Sequence, residues 1–167
     1  VKYFVFCGLL LASRGIVPGI GFASTQTEIT DESELAKLME QEKKRFKGSE
    51  ISGKTLGVIG LGAIGSLVAE MAIDLGMKVQ GYDPALSVEA AWRLPSKVKR
   101  KENIAALVAS SDFISLQLPV RDSTSGLIND EVFSAISKGS CLGNFGRGEI
   151  IELKGLLAGL EDEQHGK

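Results

Sequence analysis

Three glycines and one aspartate have the residue types and the spacing of a site that binds phosphate and ribose. The glycines form a G-x-G-x-x-G pattern at Gly60, Gly62 and Gly65. The first glycine of such a pattern permits a tight turn, the second leaves no Cβ between the backbone and a diphosphate, and the third lets a helix pack close to a strand. The free N–H groups and the positive end of that helix attract phosphates.

The sequence on either side of these glycines predicts the elements that the chemistry needs. Residues 55–59 are typical of a short apolar strand, and a helix pattern runs from residue 63 to about 75. A second strand, residues 78–82, ends at Asp83, about 20 residues beyond the glycines, where a carboxylate can accept hydrogen bonds from ribose hydroxyls. That carboxylate would repel the 2′-phosphate of NADP, so NAD is the predicted cofactor. The alternative is a glycine-rich turn of another α/β protein, with Asp83 a solvated acid.

Composition and charge are those of a globular domain without a strong charge bias. The 167 residues are 44% hydrophobic and 24% charged, enough to bury a core. A net charge of −2 argues against nucleic-acid binding as the main role. Cys7 and Cys141 are too few and too far apart for a metal site or a disulfide framework. They are expected to be buried free thiols in a reducing compartment, the cytoplasm.

The first 52 residues are predicted to precede the sheet. Residues 3–12 form an apolar run that is too short to span a bilayer and is read as a buried helix ending near Gly15. A signal peptide is the alternative, although no convincing cleavage site follows. Residues 19–30 are rich in Gly, Ser and Thr and predict a connection. Thr30 or Asp31 then caps a helix that runs to about residue 46.

Strands and helices are predicted to alternate after Asp83. The strand patterns are centred on Val98, on 112–118 and on 140–144, and the helix patterns cover 102–110, 129–138 and 151–160. This rhythm predicts βαβ units with right-handed crossovers, and so a doubly wound α/β fold with a parallel sheet. Ligands bind such sheets outside the carboxyl ends of the strands, where the strand order reverses. Four segments follow strands and are predicted to converge there: 60–65, Asp83, Pro119 and 144–147.

These motifs together resemble the NAD-binding domain of the D-isomer-specific 2-hydroxyacid dehydrogenase family, most closely its D-3-phosphoglycerate dehydrogenase branch. The matching stretches are 53–65, 81–84, 111–119, 127–129 and 144–150. The resemblance implies a Rossmann-like domain over residues 53–160. It also implies an interdomain helix at 1–20, a linker and amphipathic helix at 21–52, and a polar tail at 161–167.

The resemblance further implies which residues contact the cofactor. In the family, the backbone at the positions of Ala63 and Ile64 faces the diphosphate, and Pro119 lies in a loop beside the adenosine and the nicotinamide ribose. Residues 145–147 match a turn that lines the cofactor. The implied cofactor-binding residues are Gly60, Gly62, Ala63, Ile64, Gly65, Asp83, Pro119, Phe145, Gly146 and Arg147.

Arg147 is the candidate catalytic residue. It aligns with the arginine that in this family binds the substrate carboxylate and polarises the substrate carbonyl. A planar guanidinium that is always charged suits this role because it can bind a carboxylate through two parallel hydrogen bonds. The alternative is a surface arginine that merely follows a strand.

The sequence also departs from the family pattern. The family's acid/base histidine and its partner glutamate lie downstream of the matched arginine, beyond the last residue of this sequence. His165 is the only histidine, but it has no flanking Pro-His-x-Gly pattern and is read as a solvated tail residue. Gln117, Gly146 and Glu152 replace a common histidine, a small side chain and an aspartate. The sequence therefore looks like a piece of a longer enzyme and is expected to be catalytically incomplete alone.

The expected function is the NAD-binding part of an oxidoreductase that acts on D-3-phosphoglycerate or another D-2-hydroxyacid. By the same resemblance, the full-length protein is expected to be a homodimer without nucleic-acid or membrane partners. Two alternatives stay open. One is a non-catalytic module that senses NAD, and the other is a related dehydrogenase of glyoxylate, hydroxypyruvate or formate.

Overall fold

A parallel five-stranded sheet forms the centre of the protein, whose computed structural model describes residues 1–161. The strands are β1 (Thr55–Ile59), β2 (Lys78–Tyr82), β3 (Lys99–Arg100), β4 (Phe113–Leu116) and β5 (Cys141–Asn144). Their order is β3-β2-β1-β4-β5, so the direction of the winding reverses between β1 and β4. Leu56 of β1 lies opposite Val79 of β2 and Phe113 of β4. The predicted doubly wound, Rossmann-like α/β fold is confirmed.

Helices precede the sheet and connect its strands. They are α1 (Lys2–Ser13), α2 (Ile16–Ser24), α3 (Glu32–Glu42), α4 (Ala63–Asp74), α5 (Val88–Arg93), α6 (Ile104–Val108), α7 (Asp130–Ala135) and α8 (Leu153–Glu161), with short 3-10 helices at Lys43–Phe46 and Gly148–Ile150. The predicted bounds of β1 and β2 are confirmed. The other elements mostly lie within the predicted ranges but are shorter, and α5 falls in a stretch for which the sequence pattern was mixed. The prediction of a strand centred on Val98 is wrong by position, because β3 begins one residue later, at Lys99.

Each face of the sheet is covered by its own apolar cluster. On one face, α1 and α4 pack over Leu56 and Val58 of β1. On the other face, α6 and α7 pack over Ile114 and Leu116 of β4. Neighbouring side chains of a strand point to opposite faces, so Phe113 joins the first cluster although Ile114 joins the second. Burial of both faces explains why the strands have continuous apolar runs instead of alternation.

The amino-terminal helices correct two predictions. Residues 16–24 form α2, so the predicted connection at 19–30 is wrong over its first part. Glycine and serine are weak helix formers, but here Phe22 packs on Phe46 with ring centroids 5.6 Å apart, a tertiary contact that propensity does not include. The thiol prediction is wrong for Cys7, which is exposed on α1. Cys141 is half-buried, and this burial raises the pKa of its thiol.

Only one side of α1 is buried, which refines the predicted buried helix. Val5, Phe6 and Leu9 lie in the core, whereas Tyr3 and Phe4 are 70% and 68% exposed. The apolar exposure continues onto α2. In the described residues, no single helix is long and apolar enough to cross a membrane, and the α1–α2 pair, bent by 63°, passes that test by length and composition alone.

Replacing Leu116 with alanine is expected to lower the free energy of unfolding by about 2–5 kcal/mol, since Leu116 is completely buried under α6 and α7. Chemical denaturation followed by circular dichroism measures this change. Leu67→Ala is the matched control, because Leu67 lies on α4 with 44% of its surface exposed and should change stability by less than about 1 kcal/mol. Equal losses in the two variants would contradict the assignment of the core.

Candidate functional site

A tight turn joins the carboxyl end of β1 to the start of α4. Gly60 has a φ of +93°, a conformation that residues with a side chain rarely adopt. The Gly60 N–H donates to the Tyr82 carbonyl at 2.9 Å. A Cβ on Gly60 would lie 2.7 Å from the Gln117 carbonyl oxygen. The turn is therefore held between β2 and β4, and its geometry requires glycine.

The start of α4 has no side-chain cap. Gly62 is the N-cap residue, and without a side chain it satisfies none of the N–H groups of the first turn. The helices with side-chain caps are α3, α5, α6 and α7, which are capped by Asp31, Ser87, Asn103 and Asn129. No atom lies within 4 Å of the position of a Cβ on Gly62. The start of α4 thus offers backbone donors and open space to an anion.

Gly65 brings α4 onto the turn. A Cβ on Gly65 would lie 1.9 Å from the Gly60 carbonyl oxygen, a separation that no pair of non-bonded atoms tolerates. The helix can approach the strand only because this position has no side chain. Gly60 and Gly65 therefore have the turn and packing tasks that the sequence pattern predicts, and Gly62 leaves open space at the start of α4.

Asp83 lies directly beside the glycine turn. The Leu61 N–H donates to Asp83 Oδ2 at 2.8 Å, and the Ala85 N–H donates to Asp83 Oδ1 at 2.9 Å. The half-buried carboxylate is thus fixed by two backbone donors, one from the turn and one from the loop after β2. Each carboxylate oxygen can accept a further hydrogen bond, so the group keeps capacity for ribose hydroxyls.

A crevice of about 410 Å³ opens where the strand order reverses. We call it the switch-point crevice. Of the predicted cofactor-binding residues, it is lined by Gly60, Gly62, Asp83 and Pro119. Its apolar walls are made by Ile104, Leu118, Pro119 and Leu127. The crevice therefore combines apolar walls, a carboxylate and an uncapped helix start, which together suit adenine, ribose and diphosphate.

The other predicted residues lie around this crevice and do not line it. Ala63 and Ile64 are the first two residues of α4, and Gly65 is the third and is buried. The Phe145 ring points away, toward α1. It lies edge-on to Phe4 with centroids 5.8 Å apart, and it packs in the cluster that contains the α1 core residues. Any cofactor contact of Phe145 would therefore come from its backbone.

A hydrogen-bonded turn follows β5 and carries Arg147. Asn144 Nδ2 donates to the Arg147 carbonyl at 2.9 Å, and the Gly146 N–H donates to Asn144 Oδ1 at 3.1 Å. The turn approaches the segment that follows β4, since a Cβ on Gly146 would lie 3.6 Å from the Leu118 carbonyl oxygen. The Arg147 side chain is exposed and forms no ion pair within residues 1–161. A guanidinium at this place can bind an anion from solution.

The loop after β4 contains site residues that the sequence did not single out, namely Arg121, Ser123 and Thr124, which line the crevice beside Pro119. Thr124 Oγ1 donates to the Pro119 carbonyl at 2.7 Å and accepts from the Arg121 N–H at 2.8 Å. Its hydroxyl therefore closes the loop into a ring. The only signal in the sequence was the run of Ser and Thr after Pro119. That run does not show which hydroxyl points into the loop.

Replacing Thr124 with valine is expected to weaken NAD binding severalfold and to lower the free energy of unfolding by about 1 kcal/mol, because two hydrogen bonds of the loop are lost. Calorimetric titration and thermal melting measure the two effects. Thr124→Ser keeps the hydroxyl and is the control. If the serine variant bound NAD as weakly as the valine variant, the loop-closing role of the hydroxyl would be wrong.

The fold and the crevice define a dinucleotide-binding domain of the Rossmann type. The chain belongs to the D-isomer-specific 2-hydroxyacid dehydrogenase family, whose NAD binding domain matches residues 22–167. The resemblance found in the sequence is thereby confirmed, and so is NAD as the cofactor of this domain.

Relatives and solved structures agree with this assignment. The chain is 42% identical over 123 residues to a D-3-phosphoglycerate dehydrogenase of Pongo abelii, covering 74% of this chain and 22% of the relative. It is 37% identical over 138 residues to one of Synechocystis, covering 83% of this chain and 24% of the relative. D-lactate dehydrogenase of Aquifex aeolicus, complexed with NAD and lactic acid, shares the fold with a TM-score of 0.79 and 24% identity. That match covers 99% of this chain and 45% of the other.

Proposed function

We propose that the chain is the NAD-binding portion of an oxidoreductase similar to the D-3-phosphoglycerate dehydrogenases. The observation that carries the proposal is the Asp83 carboxylate, hydrogen-bonded to the Leu61 N–H inside the glycine turn. That contact puts an acceptor for ribose hydroxyls next to a helix start that suits a diphosphate. The 42% identity to a phosphoglycerate dehydrogenase supports this branch over glyoxylate, hydroxypyruvate or formate dehydrogenases.

The proposed cofactor contacts divide among four parts of the site. The backbone of residues 60–65 holds the diphosphate, and Asp83 accepts from the adenosine ribose. The loop of Pro119 covers the adenosine, and the backbone of the turn at 145–147 faces the nicotinamide side. Bound in this way, NAD supplies the acceptor for the hydride that leaves C2 of a hydroxyacid.

Arg147 is the proposed substrate-binding residue. It stands on a turn fixed by Asn144 at the carboxyl end of β5, and its guanidinium is exposed to incoming anions. Two parallel N–H donors would orient the substrate carboxylate, and in the reverse direction the same cation would draw electron density from the C2 carbonyl oxygen of the 2-oxoacid. The reaction also requires a base for the hydroxyl proton, and the sequence has no histidine before His165, which lies outside the described residues. We therefore expect the 167-residue chain to bind NAD and to turn over little substrate.

Isothermal titration calorimetry of the 167-residue chain with NAD and with NADP tests the cofactor assignment. NAD is expected to bind, and NADP to bind at least about tenfold more weakly, because its 2′-phosphate would meet the Asp83 carboxylate. Absent NAD binding, or equal affinity for both, would overturn the proposal. A separate assay follows NADH absorbance with D-3-phosphoglycerate, and rapid turnover would contradict the expected catalytic incompleteness.

A homodimer is the proposed assembly of the full-length protein. Apolar side chains on α1 and α2 are exposed, among them Tyr3 at 70% and Val17 at 61%, and a second copy would cover them. Sedimentation of the full-length protein tests this, and a monomer at micromolar concentration would contradict it. The free thiols of Cys7 and Cys141 support the cytoplasm as its compartment. A non-catalytic module that senses NAD is the second candidate function. In such a module, the exposed apolar side chains of α1 and α2 would bind a partner protein.

A further inference from the structure

A concave surface next to the switch-point crevice has features that NAD binding does not use. Two cavities, of about 450 Å³ and about 480 Å³, adjoin one another beside α5. They share Leu86, Ala91 and Leu94, so they form one continuous depression with an aliphatic floor. We call this depression the α5 groove.

One end of the α5 groove is strongly apolar and uncovered. Trp92, the only tryptophan of the chain, is 85% exposed, and Val88 is 70% exposed. None of the six residues of α5 is buried, although the helix is held in place by its Ser87 cap. An exposed tryptophan beside an aliphatic depression is typical of the anchor positions of protein interfaces.

The other end of the α5 groove is basic. Arg100 and Lys101 line it, and five lysines or arginines but only two glutamates lie between residues 88 and 102, in a chain whose net charge is −2. Within residues 1–161, neither Arg100 nor Lys101 forms an ion pair. The acids of this surface are Glu89 on α5, Glu102 at the rim, and Asp83, whose carboxylate already accepts from the Leu61 and Ala85 N–H groups. Since β3 is an edge strand, no strand of the described residues covers its outer side.

We propose that the α5 groove docks an acidic peptide segment of a partner protein, with an aliphatic side chain of that segment against Trp92 and the shared floor. The carboxylates of the segment then lie over Arg100 and Lys101. Charge complementarity selects the acidic partner, because the five cations between residues 88 and 102 outnumber the three nearby acids, and within residues 1–161 Arg100 and Lys101 form no ion pair. A single-stranded nucleic acid fits less well, since its bases need several aromatic faces and the floor is aliphatic.

The α5 groove and the switch-point crevice are neighbours with a common wall formed by Tyr82, Asp83 and Pro84. The proposal does not depend on the identity of the cofactor or on the reaction. NAD binding can therefore serve as an independent measure of an intact domain in every variant below.

A fluorescein-labelled peptide of alternating aspartate and leucine, without tryptophan, is the probe. We expect its anisotropy to rise on titration with the 167-residue chain, and the emission of Trp92 to shift to shorter wavelength as the indole is buried. Affinity should fall as salt rises from about 50 to about 300 mM, since rim charges are screened. A peptide in which lysines replace the aspartates should not bind.

Variants locate the binding surface. Trp92→Ala and the double change Arg100→Glu/Lys101→Glu are each expected to weaken peptide binding at least about tenfold while NAD binding is unchanged. Lys44→Glu, a charge reversal at an exposed residue of the 3-10 helix Lys43–Phe46, should have no effect. Trp92→Ala cannot act through the core because Trp92 is 85% exposed.

Three results would overturn the proposal. The first is no rise in anisotropy with the acidic peptide. The second is an equal loss of affinity in Lys44→Glu, which would mean non-specific attraction. The third is tighter binding of a single-stranded oligonucleotide to the same groove, which would assign the surface to nucleic acid.

Discussion

The Gly65→Ala variant is expected to lose measurable NAD binding and at least about 2 kcal/mol of its free energy of unfolding. The added methyl carbon would lie 1.9 Å from the Gly60 carbonyl oxygen and 2.9 Å from the Gly60 carbonyl carbon. Both are backbone atoms, so no side-chain rotation relieves the overlap. Either α4 moves away from β1 or the turn opens, and both changes displace the N–H groups that face the diphosphate. Chemical denaturation and calorimetry with NAD measure the two losses.

Gly62→Ala is the matched control, three residues earlier in the same glycine pattern. Its φ is −66°, and a Cβ there meets no atom within 4 Å, so stability should change by only a few tenths of a kcal/mol. NAD affinity should nevertheless fall, because the methyl group occupies the path of the diphosphate. If Gly62→Ala bound NAD as well as the wild type, the diphosphate would not approach the turn at this point. If Gly65→Ala were as stable as the wild type, the close packing of α4 would be wrong.

Replacing Asp83 with alanine is expected to weaken NAD binding by about ten- to a hundredfold. The change removes the acceptor of the Leu61 and Ala85 N–H groups as well as the proposed partner of the ribose hydroxyls. It should also remove the discrimination against NADP, since no carboxylate would then face the 2′-phosphate. Titration of the variant with both cofactors measures the two effects together.

Asp112 offers a control with the same chemistry at the other end of the sheet. Its Oδ2 accepts from the Thr55 N–H at 2.8 Å, at the amino end of β1 and far from the glycine turn. Asp112→Ala should lower stability by about 1–2 kcal/mol and leave NAD affinity unchanged. Equal weakening of NAD binding by the two substitutions would mean that Asp83 acts only through the stability of the fold.

The parts of the fold that follow from local sequence were predictable. β1 is a short apolar run between Gly53 and Gly60, β2 ends directly before Asp83, and three glycines specify the turn between β1 and α4. Asp31, one of the two cap residues that the sequence predicts, caps α3, because a cap depends on residues at most a few positions away. The crevice itself follows from the rule that parallel strands present their carboxyl ends at one edge.

Features that depend on distant contacts were not predictable. Phe145 stands in a motif that suggests a cofactor contact, yet its ring packs against Phe4 of α1, about 140 residues earlier in the sequence. The helix α2 forms in a glycine-containing stretch because Phe46 covers it. The inward hydroxyl of Thr124 depends on the path of a whole loop. In each case the decisive partner lies outside any sequence window.

The packing of α1 has a consequence for synthesis of the chain. Its buried side chains pack in one cluster with α4, and its exposed Phe4 contacts Phe145, which follows β5, so α1 completes its contacts only after β5 has been synthesised. Until then the apolar side chains of α1 are exposed to solvent on the nascent polypeptide. We expect holdase chaperones to bind there during translation, and ribosome-profiled crosslinking of arrested chains should show that protection ending once residue 145 emerges.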